Sequence, residues 1–223
     1  VKDPALAGLG IDLTGALLTL QAGTRVWTWT RRVVSHDNDT VYYVGGLMPE
    51  KGKASDLRIL FTLSDLPGLL DSDNEWFLDR GSSRLSLRVN GGGSPGAHVV
   101  EIKQRPLCLS APAADGRRVP PPVHVENLNM HGCTFSLQSC VGCTVRNISA
   151  VYPSHAREVP FRNFPRPTGP PIAVTTLAGN DSSIEGLSLR HSSVTGLLMV
   201  GSRNSAREVL VENSNWFGSL DFP

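Results

Sequence analysis

Val125-Glu-Asn-Leu-Asn129 introduces a pattern that returns three times, as Val145-Arg-Asn-Ile-Ser149, Ile184-Glu-Gly-Leu-Ser188 and Val211-Glu-Asn-Ser-Asn215. The first residues of these segments lie 20, 39 and 27 positions apart. Each segment begins with an aliphatic residue, and three of the four carry a second aliphatic residue three positions later. We call this pattern the repeat motif.

The third position of the repeat motif is occupied by Asn127, Asn147, Gly186 or Asn213. Gly and Asn tolerate the left-handed backbone conformation, so this position indicates a sharp bend between two strands. Strand–bend–strand units repeated at roughly 20 to 30 residues are typical of a solenoid with stacked coils. We therefore predict that these four residues stack along one corner. The 39-residue gap fits two coils, or one coil with an insertion.

Composition narrows the class of protein. In 223 residues, 40% are hydrophobic, which is enough for a packed core, and the formal net charge is +1. Scattered charges of both signs argue against a nucleic-acid partner. The apolar runs are far shorter than the roughly 20 residues of a membrane span, which argues against a membrane partner. The chain begins with Val and ends soon after a repeat motif, and we expect it to be a fragment of a longer protein.

Helix should be scarce, because no stretch keeps an apolar period of about 3.6 residues. Plentiful Gly and Pro separate short strand-like runs instead, so the predicted fold class is all-β. Residues 16–44 read as an antiparallel meander, and residues 75–89 read as a hairpin. His98-Val-Val-Glu-Ile-Lys103 alternates apolar and polar residues and is predicted to be the first strand that joins the solenoid.

Glu75-Trp-Phe-Leu-Asp79, followed by Leu85-Ser-Leu87, resembles an E-W-[FY]-x-D hairpin with a later L-x-L. This element precedes the coils in right-handed parallel β-helix proteins of the pectate-lyase-like superfamily. Within that superfamily, the chain resembles carbohydrate-active members: glycoside hydrolases, including xylosidase-like ones, and alginate- or pectate-type lyases. The hydrolase branch carries a β-sandwich-like insert between early coils. The resemblance implies a partial antiparallel β-sandwich-like insert over residues 1–65 and a right-handed parallel β-helix over residues 66–223.

This resemblance implies a protein that acts on a polysaccharide or oligosaccharide, with hydrolysis of glycosidic bonds as the expected reaction. Two alternatives stay open: a polysaccharide lyase that works by β-elimination, and a non-catalytic β-helix for carbohydrate binding or adhesion. The sequence implies no cofactor. For the parent protein, we expect the extracellular space or the secretory pathway rather than the cytoplasm.

Hydrolysis requires two carboxylates on either side of a glycosidic bond. Stacked coils can supply them, because equivalent positions on neighbouring strands lie about 4.8 Å apart. Asp181, Glu212 and Asp221 are the candidate catalytic residues. Their alternative role is that of solvated surface carboxylates. Glu126, Glu185 and Glu212 share one position of the repeat motif, and we expect such like charges to be exposed.

A lyase needs a cationic group near the uronate carboxylate and a base for the C5 proton. Arg190 or Arg203 could supply the cation, and His191 could supply the base. Trp216 is a candidate for stacking on a sugar ring, which gives His191, Arg203 and Trp216 as candidate substrate-binding residues. An ordinary surface or core role is the alternative for each. No acidic cluster in the sequence suggests calcium.

Three of the four cysteines follow His131 closely, as Cys133 and Cys140-Val-Gly-Cys143. The spacing allows buried free thiols stacked inside the coils, a disulfide, or a zinc site. Buried free thiols are the first of these interpretations, and no metal site is predicted. Cys108 is expected on a strand.

Overall fold

A computed structural model describes residues 1–22, 27–44, 60–111, 121–154 and 173–214. The described chain is all-β, as predicted, and far more of its residues lie in strands than in helices. It divides between Glu101 and Ile102 into two compact units. We call them the antiparallel unit and the parallel unit. The boundary expected from the sequence, after residue 65, lies within the antiparallel unit.

The antiparallel unit begins with a short helix, α1 (Pro4–Ala7), which the Asp3 side chain caps by accepting a hydrogen bond from the Ala5 amide. One antiparallel sheet follows, with strands in the order β3-β2-β1-β4. Its strands are β1 (Leu17–Ala22), β2 (Trp27–Asp37), β3 (Thr40–Tyr43) and β4 (Leu60–Ser64). A separate hairpin pairs β5 (Trp76–Asp79) with β6 (Arg84–Leu87), which confirms the predicted hairpin. A second sheet of a sandwich is not among the described residues.

In the described part of the parallel unit, eight strands alternate between two parallel sheets. We call these the odd sheet (β7, β9, β11 and β13) and the even sheet (β8, β10, β12 and β14). The odd sheet consists of β7 (Leu107–Ala111), β9 (Thr134–Val141), β11 (Thr175–Asn180) and β13 (Leu197–Val200). The even sheet consists of β8 (His124–His131), β10 (Thr144–Val151), β12 (Ser183–Arg190) and β14 (Ser205–Glu212).

The left-handed bend predicted from the repeat motif lies inside the strands of the even sheet. Asn127, Asn147 and Gly186 all have a positive φ, between 50° and 65°. These three residues occupy equivalent positions in adjacent strands. Because the bend interrupts the two-residue alternation, aliphatic residues three positions apart, such as Val145 and Ile148, both point into the core. Three of the four predicted corner residues therefore stack as expected.

The fourth predicted corner residue, Asn213, is not in this column. The strand register sets Ala206 beside Ile184 and Val209 beside Leu187, so Glu208 occupies the bend position. Glu208 has a φ of 53°. Asn213 also has a positive φ, but it follows the end of β14. The sequence-based register of the last repeat was therefore wrong by five residues. Asn213 suggested the bend because it suits left-handed backbone, but its left-handed position is a different one, after the strand.

The predicted strand at residues 98–103 is wrong. This segment forms no strand, and Val99 is 94% exposed. The alternating pattern is present, but neither sheet includes these residues. The odd sheet begins instead at β7.

One hydrophobic cluster joins the two parallel sheets. Phe135, Leu137 and Leu177 contribute from the odd sheet, and Val145, Ile148 and Leu187 are among the residues that contribute from the even sheet. Close backbone contact accompanies this packing: a Cβ atom added to Gly179 would lie 1.7 Å from the carbonyl oxygen of Cys140. Glycine is therefore required at that position.

Disulfides join Cys108 to Cys133 and Cys140 to Cys143, with Cα–Cα distances of 5.5 and 5.7 Å. All four cysteines of the chain are paired. The first interpretation, buried free thiols, was therefore wrong, and no thiolate is left for zinc. Both disulfides lie in the parallel unit, where Cys108–Cys133 links strand β7 to the turn before β9.

Candidate functional site

The even sheet aligns equivalent side chains of successive strands into columns, because its register is uniform. Four exposed columns concern the candidate residues or their neighbours. The first contains the bend residues, where the Asn147 side-chain amide donates a hydrogen bond of 2.7 Å to the Asn127 side-chain oxygen. This bond holds one bend directly above the next.

The second column alternates in charge. Arg146 lies between Glu126 and Glu185, with N–O distances of 3.6 and 3.5 Å, and the register continues the column to Arg207. We call these four residues the charge ladder. Both glutamates are exposed, as expected from the sequence, and the intervening arginine explains why they tolerate one column. The third glutamate expected in this column, Glu212, lies level with Arg190 instead. Each such exposed pair contributes only about 0 to 1 kcal/mol.

The third column is a corner that precedes β12 and β14. Asp181 and Arg203 both have a φ of 56°. Two parallel hydrogen bonds join them, from Nε to Oδ1 at 2.5 Å and from Nη2 to Oδ2 at 2.7 Å. The hydrogen bonds from Arg203 lower the pKa of Asp181, and the same contact raises the pKa of Arg203. A general acid requires the opposite shift, so Asp181 is fitted to remain an ionised structural partner.

The fourth column lies just beyond the carboxyl ends of the even strands. Backbone hydrogen bonds carry the register one residue further here: Tyr152 N donates to Arg190 O, and His191 N donates to Glu212 O. The Tyr152 and His191 rings stack, with centroids 5.2 Å apart and planes inclined by 27°. His131 meets the other side of Tyr152 edge-on, at a centroid distance of 5.7 Å. We call His131, Tyr152 and His191 the aromatic ladder.

An ion pair borders the aromatic ladder. Arg190 Nε lies 3.1 Å from Glu212 Oε2, and about half of each side chain is exposed. Tyr152 is 45% exposed. The carboxyl ends of the even strands therefore offer aromatic carbon surface beside hydroxyl, imidazole, guanidinium and carboxylate groups, all reachable from solvent.

The structure brings the candidate residues together in two separate places. Asp181 and Arg203 form the corner pair, while His191 and Glu212 lie at the aromatic ladder. The register sets Glu212 level with Arg190, nine residues beyond Asp181. At about 3.3 Å per residue, roughly 30 Å separates the two carboxylates along the strand. The widest catalytic carboxylate pairs of glycosidases are about 9.5 Å apart, so these two cannot act on the same bond. Asp221 and Trp216 lie outside the described residues.

Sequence reasoning missed Tyr152 and His131. Their connection to His191 depends on the register, since His131 ends β8 whereas Tyr152 and His191 follow the ends of β10 and β12, and the three residues show no common sequence motif. A usable signal was present for Tyr152, however: it follows the bend at Asn147 by as many residues as His191 follows the bend at Gly186.

No group of three or more His, Cys, Asp or Glu side chains within the described residues could hold a metal ion. Within the same residues, none of the helices is long and apolar enough to cross a bilayer. Comparison of the chain with protein-family models, with curated proteins and with solved structures finds no match. A functional assignment therefore depends on the residues described above.

Proposed function

We propose that residues 107–214 form part of a right-handed parallel β-helix whose aromatic ladder binds polysaccharide. The fold proposal is supported by the strict alternation of the chain between two parallel sheets that share one core. Its handedness follows from a general rule, since connections between parallel strands of one sheet are right-handed in about 98% of cases. Residues with left-handed backbone recur at equivalent positions of successive strands, as expected for the bends and corners of stacked coils.

The aromatic ladder is the single observation that carries the binding proposal. An aromatic ring offers a flat apolar surface to the C–H face of a pyranose, and Tyr and His also carry polar atoms that can bond sugar hydroxyls. Arg190 and Glu212 supply further donors and acceptors beside the rings. A row of exposed side chains across the ends of adjacent strands suits an extended polymer better than a small molecule, which requires a concave site.

Binding without catalysis is the function that the described residues support best. Four of the five carboxylates described in the parallel unit lie within 3.6 Å of an arginine; Glu208 is the fifth. An arginine already occupies each of these four carboxylates, and at Asp181 it also lowers the pKa, whereas a glycosidase needs one carboxyl group that stays protonated. The lyase alternative is supported less, because Arg203 is committed to Asp181 and lies about ten residues along the strand from the level of His191.

Hydrolysis is a second candidate, which one observation favours. Glu212 lies beside the aromatic ladder, where a bound sugar would come within its reach. The reaction would need a second carboxylate near it, and Asp221 is the residue that the sequence offers. An assay for new reducing ends separates this candidate from binding alone, and an assay for unsaturated uronates detects β-elimination.

The binding proposal is tested by titrating the chain with a panel of plant and algal polysaccharides in a calorimeter. We expect Tyr152→Ala to weaken binding at least about tenfold, in line with loss of a contacting aromatic side chain. The matched control is Tyr42→Ala, since Tyr42 is 50% exposed on β3 in the antiparallel unit. Binding that is unchanged in Tyr152→Ala, or equally reduced in Tyr42→Ala, would contradict the proposal.

A further inference from the structure

Strand β14 forms one outer edge of the even sheet. Among the described residues it pairs only with β12, and β8 at the opposite edge pairs only with β10. In the column that contains Met130, Ala150, Leu189 and Val211, the side chain of Leu189 is fully buried, whereas Val211 is 39% exposed. Leu210 on the same strand is 43% exposed. A long outer strand with exposed apolar residues is a template for pairing with another strand.

Strand β8 has the side chains that would continue the β14 columns. If β8 of a second copy followed β14 in the register used throughout the sheet, Glu126 would lie beside Arg207. The charge ladder would then alternate without interruption across the junction. Leu128, which is 44% exposed, would lie beside Val209, and Met130 would lie beside Val211. His131 would lie beside Glu212, where an imidazole N–H can donate a hydrogen bond to the carboxylate.

The odd sheet is compatible with the same arrangement. Its outer strands, β7 and β13, contain no charged residue. In the common register, Ala111 of a second copy would lie beside Met199, and Ser110 beside Leu198. The junction therefore buries no unpaired charge in this sheet, which removes the largest cost of such a contact.

We propose that the protein associates with itself head to tail, with the β14 and β13 edges of one copy against the β8 and β7 edges of the next. The two surfaces of this junction differ, so the contact is heterologous and can add further copies. Charge complementarity selects the second copy as the occupant: of the strands in the even sheet, β8 is the one with a glutamate opposite Arg207, an exposed leucine opposite Val209 and a histidine opposite Glu212. This inference depends on the strand register and is independent of carbohydrate binding.

Sedimentation velocity over a wide concentration range tests the proposal on the full chain. We expect the mass to rise above 24.0 kDa with concentration, in steps of one chain. Arg207→Glu alone would face Glu126 of the next copy, and Glu126→Arg alone would face Arg207. Each single variant should therefore lose at least about tenfold in affinity, because like charges oppose each other at the junction.

An equimolar mixture of the two single variants is the decisive measurement. The carboxylate that Arg207→Glu introduces on β14 would face the guanidinium that Glu126→Arg introduces on β8 of the other variant. At the next junction the two unaltered edges meet, with native Arg207 facing native Glu126. Every alternating junction therefore pairs opposite charges, and association should return to the wild-type level.

The control is Arg84→Glu, an exposed substitution in the antiparallel unit, which should leave association unchanged. A wild-type protein that stays at 24.0 kDa would overturn the proposal. Single variants that still associate, or a mixture that fails to associate, would overturn it as well.

Discussion

The antiparallel and parallel units build their sheets from strands in different sequence relationships. In the antiparallel unit, β1 pairs with β2 and β2 with β3, so these strands are neighbours in the chain and in the sheet, and β4 pairs with the other side of β1. In the parallel unit, β8 pairs with β10 and β7 with β9, so every neighbour is the next strand but one. The parallel arrangement aligns like positions of successive strands. It creates the bend, charge and aromatic columns, whereas the antiparallel arrangement reverses the order of side chains from one strand to the next.

The largest expected difference in stability between the two units comes from the close backbone contact at Gly179. Gly179→Ala should destabilise the parallel unit by about 4 kcal/mol or more, because the new Cβ atom would overlap the carbonyl oxygen of Cys140. Gly15 in the antiparallel unit has a φ of 87° and open space around it. Gly15→Ala should therefore cost only about 1 to 2 kcal/mol, the strain of a left-handed alanine. Hydrogen exchange resolved along the chain measures both; equal losses would refute the close approach at Gly179.

The disulfides give the next largest difference between the units. Replacing Cys108 and Cys133 together by Ser should lower the free energy of unfolding of the parallel unit by about 3 to 4 kcal/mol, since the bond closes a loop with a sequence separation of 25. A reductant should have a similar effect and leave the antiparallel unit unchanged, because all four cysteines lie at residue 108 or beyond. Denaturant unfolding followed by hydrogen exchange checks this. Insensitivity of the parallel unit to both treatments would contradict it.

A smaller effect tests the register of the last repeat. Glu208→Gly should stabilise the parallel unit by about 1 kcal/mol, because glycine adopts the left-handed bend without the strain of a side chain. Glu212→Gly on the same strand is the matched control and should destabilise by about 0.5 to 1 kcal/mol, the usual cost of glycine within a strand. If the register suggested by the sequence were right, Glu208→Gly would be destabilising as well. Thermal unfolding of the two variants decides between these registers.

The sequence was sufficient for features that depend on local pattern. The all-β class, the β5–β6 hairpin and the bends at Asn127, Asn147 and Gly186 follow from residue type and short spacing. The sequence was insufficient where two positions were equally suitable for a left-handed bend, or where packing between strands decided the register. Asn213 and Glu208 both adopt left-handed backbone, and only the register distinguishes them.

The candidate site shows the same limit. Asp181, His191, Arg203 and Glu212 were identified by residue type, as candidate carboxylates, base and cation, but their partners belong to other strands. Arg203 turns Asp181 into a structural pair, and Tyr152 joins His191 to a row of rings. Such pairings become visible only when strands 20 to 40 residues apart are aligned, which requires each insertion between strands to be known.

The smallest predicted effect compares how one carboxylate in each unit is held, Asp181 in the parallel unit and Asp39 in the antiparallel unit. Hydrogen bonds from Arg203 lower the pKa of Asp181, and the hydroxyl of Thr40 makes the largest contribution to lowering the pKa of Asp39. Both folded-state pKa values lie below the ordinary 3.8, so each group stabilises the fold fully above that value. The contribution is lost as the pH falls through the folded-state pKa.

Carboxyl-carbon NMR titration should show both depressed values. Added salt should raise the pKa of Asp181 more, because its largest contribution comes from the charged Arg203, whereas at Asp39 the neutral Thr40 hydroxyl contributes more than the charged Lys2. Arg203→Gln should remove this larger response of Asp181. Equal salt responses of the two groups would show that the Arg203 charge does not set the pKa of Asp181.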